Sequence, residues 1–226
     1  MFPSRVMERK IILRWLILLA AFTFIDILLI FWVIRHQGTP KYLFLIWNLF
    51  LAWLPLFFAL GAVHKQNDSR LMFIFRLGCS ILWLLFYPNG PYMITDLKHY
   101  REVVSYPGAI WPYDDLLMLF SSAWTGMMLG ALSLFLLHQG VRRRYGSYVG
   151  WIFALSALFL GSIGVYVGRF LRWNSWDVLT NPHQLLQELS HILEYQSTDF
   201  IFLFSAIQLV TYATVYFLAQ NQTDKH

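Results

Sequence analysis

Leu85-Phe86-Tyr87-Pro88-Asn89-Gly90-Pro91-Tyr92-Met93-Ile94-Thr95-Asp96-Leu97-Lys98-His99 is the stretch on which the architecture turns. An apolar run enters it, and two prolines without N–H donors then flank Asn89-Gly90, a spacing that interrupts any regular α-helix. Two readings are open. The segment is a tight exit turn at a membrane surface, or a broken helix whose polar backbone lines a ligand cavity. In both, Gly90 gives backbone freedom. Asn89 supplies two donors and an acceptor for carbonyls freed where water is scarce.

The surroundings of this stretch settle its setting. The chain has 226 residues, 58% hydrophobic and only 13% charged, about half the charge of a soluble domain. Apolar runs recur at lengths that cross a hydrocarbon core, which needs about 20 residues. Six spans are expected, at about 11–34, 42–63, 71–87, 116–137, 149–172 and 200–219. Together they make one transmembrane domain over 1–226. The fold class is all-α: a six-transmembrane-helix bundle whose third helix is broken near its outer end. The runs are apolar on every face, which excludes a β-barrel's alternation. The first run is too long for a signal-peptide core and reads as a retained helix.

Charge gives the orientation. Eleven of the 17 Lys and Arg fall in segments that share a side with the N-terminus, Arg142-Arg143-Arg144 most clearly. The positive-inside rule then puts both termini in the cytoplasm. The net charge of +5 sits in short loops, as anionic headgroups favour, and nucleic acid is not an expected partner. Cys79 is the single cysteine, so no internal disulfide and no cysteine-based zinc site can form.

This topology leaves two long connections, 88–115 and 173–199, on the outer side. The second opens with Arg169-Phe170-Leu171-Arg172-Trp173-Asn174-Ser175-Trp176-Asp177. Beyond it, Asn181-Pro182-His183-Gln184 has helix-start chemistry, and Leu185, Leu186, Leu189, Ile192 and Leu193 share one face. A short amphipathic interfacial helix before the last span follows. Spans four and five carry small-residue stripes, Ser122-Gly126-Gly130-Ser133 and Ala157-Gly161-Gly164-Gly168. Such stripes let helices approach closely in lipid. They are expected to pack against each other or against neighbours in the bundle; a homodimer seam is the alternative. Arg172, a turn beyond Gly168, is expected to point into the bundle.

Three blocks carry a resemblance: Tyr87–Leu97 with His99, Tyr113-Asp114-Asp115-Leu116 with Ala123-Trp124-Thr125-Gly126, and Gly168–Asp177. In this order they resemble the uncharacterised bacterial integral-membrane family catalogued as domain of unknown function 1361. Gly90 stands where relatives often have another small residue. The resemblance implies a bacterial multi-pass membrane protein, and it carries no catalytic role to any residue.

The candidate chemistry gathers at the outer end. Asp96 and His99, three apart, are the acid–base candidates if the segment is helical. Asn89, Asp114, Asp115, Arg169, Arg172, Asn174, Asp177 and the deep Asp26 are candidates for a polar binding site. Asp114 and Asp115 also suit the positive end of a helix dipole. The arginines need carboxylate or phosphate partners, which leaves a structural ion-pair network and an anion site both open. Asp96, His99, Asp114 or Asp115 with His183 or His191 has no established metal-ligand spacing, so no metal is expected, and no cofactor motif appears. The leading expectation is a binding or accessory protein of the bacterial cell membrane, with an anionic or lipid-linked ligand at the outer leaflet. The alternatives are an enzyme hydrolysing or transferring a phosphate- or sugar-bearing lipid group, and a small-solute transporter.

Overall fold

The computed structural model describes residues 5–38, 40–64, 69–100, 112–173, 175, 180, 183–184 and 195–224. Among them every regular element is helical. The helices are α1 (Arg5–Gln37), α2 (Leu43–Val63), α3 (Arg70–Phe86), α4 (Asn89–Tyr92), α5 (Pro112–Tyr145), α6 (Ser147–Tyr166) and α7 (Tyr195–Asp224). A 3-10 turn, Met93–Leu97, follows α4, and a π-helical turn, Val167–Leu171, ends α6. Six stretches are long and apolar enough to cross a membrane, the third running from Arg70 to Tyr100. The protein is a six-span bundle. The start of α1 and the end of α7 lie at one end, the termini end; the end opposite is called the far end. The amphipathic helix expected within 182–194 falls almost wholly outside the described residues.

The bundle is built around α5. Of its apolar stretch 72% is buried, against 11% for the third span. Its sequence explains this: Ser122, Ala123, Gly126, Gly130, Ala131 and Ser133 are small, so neighbours close in from several sides. The outer helices present Leu13, Ile17, Phe24, Phe50, Phe57, Leu71, Phe73, Phe202 and Leu203 away from the protein, where lipid tails solvate them. A single residue, Gly146 at φ +90°, joins α5 to α6. That left-handed conformation is one L side chains rarely adopt, and it turns the chain back within one step.

The interruption after Phe86 is not an exit turn. Tyr87, Pro88, Tyr92 and Met93 all keep right-handed helical dihedrals, and the Tyr92 N–H donates to the Pro88 carbonyl at 2.8 Å. The chain breaks its hydrogen-bond ladder and carries on in the same sense. The Asn89 amide donates to the Phe86 carbonyl at 2.8 Å, satisfying part of the exposed backbone. Gly90 has no positive φ; it is small because α5 is close. A Cβ there would meet the Gly126 carbonyl oxygen at 2.8 Å and Gly130 Cα at 3.2 Å. At a rise of about 1.5 Å per residue, Gly126 lies about 20 Å along α5 from Pro112, so the break is deep in the bundle.

The two stripes find their partners in the same segment. Gly126 and Gly130 face Gly90, Pro91 and Met93, while Gly161, Gly164 and Gly168 face Tyr87, Pro88 and Tyr92. The broken span is clasped between α5 and α6, and both stripes are occupied within one chain. Trp83, one turn below, is buried and donates its indole N–H to Ser133 Oγ at 3.1 Å.

Candidate functional site

The clasped segment delivers Asp96 to the far end of the bundle, 1% exposed. A carboxylate at such a position needs donors from every side. Asn48 Nδ2 of α2 donates to Oδ2 at 2.9 Å, and Arg169 Nη1 pairs with Oδ1 at 3.1 Å. Arg169 comes from the π-helical turn, whose extra residue per turn swings its side chain across to the third span. The guanidinium donates again to the Tyr92 hydroxyl at 3.0 Å and to the Thr95 carbonyl at 2.7 Å, and it lies 5.4 Å from the Tyr92 ring centre. Arg169 and Asp96 therefore form a closed clamp tying the third and fifth spans together, braced by the second.

Arg172 does not follow its stripe into the bundle. The π-helical turn ends at Arg172 in the left-handed conformation, φ 60° and ψ 33°, and the side chain is exposed. It is the sole non-glycine residue with positive φ among those described. Strain of this kind costs about 1–3 kcal/mol and persists where surrounding structure imposes it. Here the Trp173 N–H reaching back to the Val167 carbonyl at 3.4 Å accompanies it.

The two polar blocks meet a second time where Asn89 Nδ2 approaches Ser175 Oγ at 3.2 Å. His99 packs its ring against Phe44 at 5.1 Å, on the α2 side of the clamp. Asp115 is fully buried in the first turn of α5, its two oxygens taking the Gln37 amide at 2.9 and 3.0 Å, while Asp114 beside it is half-buried. Asp26 is also fully buried, but at the middle of α1, against Ser121 of α5 at 2.5 Å. So Asp96, Arg169 and His99 come together, Asn89 meets the second polar block separately at Ser175, and Asp115, Asp26 and Arg172 occupy three further places. Asn174, Asp177, Trp111, Trp176 and His191 lie outside the described residues. Among the described residues no group of three His, Cys, Asp or Glu is placed to hold a metal ion.

Several partners are not named by motif reasoning. Asn48 and Gln37 are the missing donors, and each is an isolated amide in or beside an apolar run, which is the signal that could have found them. Gln208 is another. Its Nε2 donates to Ser162 Oγ at 2.7 Å, and Tyr87 OH donates to its Oε1 at 3.2 Å, beside a cavity of about 10 Å³ also lined by Tyr212 and Pro91. That is room for about one water, far from the several hundred cubic ångströms of a substrate pocket.

At the termini end α5, α6 and α7 share an aromatic cluster. His138 Nδ1 bonds the Tyr212 hydroxyl, Arg142 Nη1 donates to Tyr216 OH at 2.7 Å, and Trp151 stands edge-on to the His138 ring at 5.0 Å. His138 and Arg142 are four apart, as are Tyr212 and Tyr216, so the two helices pair in register. Tyr212→Phe is expected to lower unfolding free energy by about 1–2 kcal/mol, because the imidazole loses its partner where no water replaces it. Thermal melting in detergent reads this, and an unchanged melting temperature would show that the contact contributes nothing.

Residues 47–211, most of the chain, match the family model described as "Protein of unknown function (DUF1361)". No curated protein and no solved structure matches.

Proposed function

The chain belongs to the DUF1361 family, and from that premise we propose that it is a binding or accessory protein of a bacterial cell membrane, holding an anionic lipid or lipid-linked headgroup at the outer leaflet. The observation that carries this reading is the division of labour between two arginines three residues apart. Arg169 is spent on Asp96, Tyr92 and Thr95, which fixes the end of α6. Arg172 is thereby held exposed at the far end of the bundle, in a backbone conformation an arginine does not choose freely. A guanidinium there offers a planar fork to a phosphate or carboxylate. The surplus of Lys and Arg on the termini end supports a cytoplasmic position for both termini, hence an outer position for Arg172.

The enzyme reading has less support. Asp96 is enclosed and each of its oxygens already accepts a hydrogen bond, so its surroundings hold it as an ion-pair partner rather than open it to a substrate and a water. An accessory role needs neither.

The test is the lipid that travels with the protein. Purified gently and analysed by native mass spectrometry, wild type is expected to retain anionic lipid. Arg172→Ala should lose it about tenfold, the equivalent of one charge-assisted contact of about 1.5 kcal/mol. Arg143→Ala, at the termini end, should not reproduce that loss for outer-leaflet lipid added to sided proteoliposomes. An Arg172→Ala profile equal to wild type sinks the reading.

A further inference from the structure

Among the described residues, Asp26 is the buried carboxylate that neither the Asp96–Arg169 clamp nor the Gln37–Asp115 contact explains. It sits near the middle of the first span, fully buried, with α5 against it. Ser121 Oγ donates to Oδ1 at 2.5 Å; Oδ2 has no hydrogen-bond partner. Thr125 lies one turn on from Ser121 along the same face of α5, 1% exposed, and its hydroxyl faces the Asp26 carboxylate without closing a hydrogen bond of regular geometry. The next hydroxyl on α1 is already taken: Thr23 Oγ1 donates to the Leu19 carbonyl at 2.8 Å and accepts from the Trp53 indole at 3.1 Å. No Lys, Arg or His among the described residues pairs with Asp26. Arg169, half-buried at the far end, is committed to Asp96.

From this geometry we infer that Asp26, Ser121 and Thr125 form an intramembrane binding site for a small hard monovalent cation, with sodium as its natural probe. A lone negative charge in hydrocarbon is expensive, and one cation cancels it. Carboxylate and hydroxyl oxygens are hard ligands that suit such an ion. The charge count selects its valence: with one carboxylate, a divalent ion would leave an uncompensated positive charge, and divalent sites draw on more acidic oxygens. The enclosure bears on its size, since full burial of the carboxylate between two helices favours a small ion over an organic ammonium. Ser121 and Thr125, four apart on α5, and Asp26 on α1 supply oxygens from two helices, so occupancy ties α1 to the central helix. Unlike the headgroup site, this one lies at the α1–α5 interface and shares no residue with Arg172, so the two stand or fall separately.

The experiment uses the full chain in detergent, melted in sodium, potassium or choline chloride at equal ionic strength. The wild-type melting temperature should climb with the logarithm of sodium concentration, and neither potassium nor choline should replace sodium. Asp26→Asn should abolish the dependence. Thr125→Val keeps the carboxylate and should raise the half-saturating sodium concentration about tenfold, the loss of one contact to a charge; this variant decides the matter if Asp26→Asn does not fold. Ser122→Ala, on a neighbouring face, should titrate as wild type. A wild type indifferent to sodium overturns the assignment, including the case in which only pH moves its melting and the carboxyl simply holds a proton. A sodium response unchanged in both Asp26→Asn and Thr125→Val overturns it as well.

Discussion

Arg169→Met is expected to lower unfolding free energy by about 3–5 kcal/mol, among the largest effects of any single substitution in the chain. The arginine removes itself and leaves Asp96 enclosed, with Asn48 as its remaining donor. The Tyr92 hydroxyl and the Thr95 carbonyl lose a partner at the same time. Asp96→Leu should cost a similar amount, since it strands the guanidinium instead. The double variant Asp96→Leu with Arg169→Met should cost much less than the sum of the two singles, because no buried charge then lacks its counterpart. It should not return to wild type, because Asn48 and Thr95 still have unmatched groups. Reversible unfolding in mixed micelles measures all four proteins. Additive losses would mean that the pair is not coupled, and singles within about 0.5 kcal/mol of wild type would reduce it to a surface contact.

The second large effect concerns the clasp. Gly126→Ala should destabilise by about 1–3 kcal/mol although alanine is the better helix former. The new methyl would stand 2.6 Å from the Gly90 carbonyl oxygen and 2.8 Å from Met93 Sδ. Backbone cannot step aside as a side chain can, so α4 must lift away from α5 and carry the Asp96 clamp with it. Gly78→Ala is the internal control. Nothing lies within 4 Å of its added methyl, so it should be neutral or stabilising by up to about 1 kcal/mol. Equal melting temperatures for the two variants would disprove the close approach. Gly126→Ala should also loosen the far end, so Arg169 contacts weaken in parallel.

These two predictions rest on features of different legibility. The stripe glycines were visible as a three-to-four repeat on spans four and five. Their common target was not, since a period says which face is small and nothing about what fills it. Pro88-Asn89-Gly90-Pro91 was legible as a break. Whether the chain turned out of the membrane there depended on α5 and α6 closing on both sides, which local sequence does not contain. Gly90 illustrates the limit: read locally, it permits a turn, yet the fold uses it for its missing Cβ.

The polar residues divide in the same way. Asp96 and Arg169 stood out because charge in an apolar chain is conspicuous. Their mutual choice, over Asp115 or Asp26, is a consequence of the π-helical turn that re-aims Arg169 and releases Arg172. Asn48, Gln37 and Gln208 carry no motif, and their partners are 48, 78 and up to 121 positions away in sequence.

What the amino-acid sequence determined by itself is therefore the solvent and the count of spans: hydrophobic length and composition act locally, so six apolar helices in a bilayer follow without reference to any contact. Only tertiary structure decided which polar groups meet. In hydrocarbon each buried charge must find a partner within about 3 Å, and that distance is set by how closely the glycine faces of α5 and α6 let the broken third span approach.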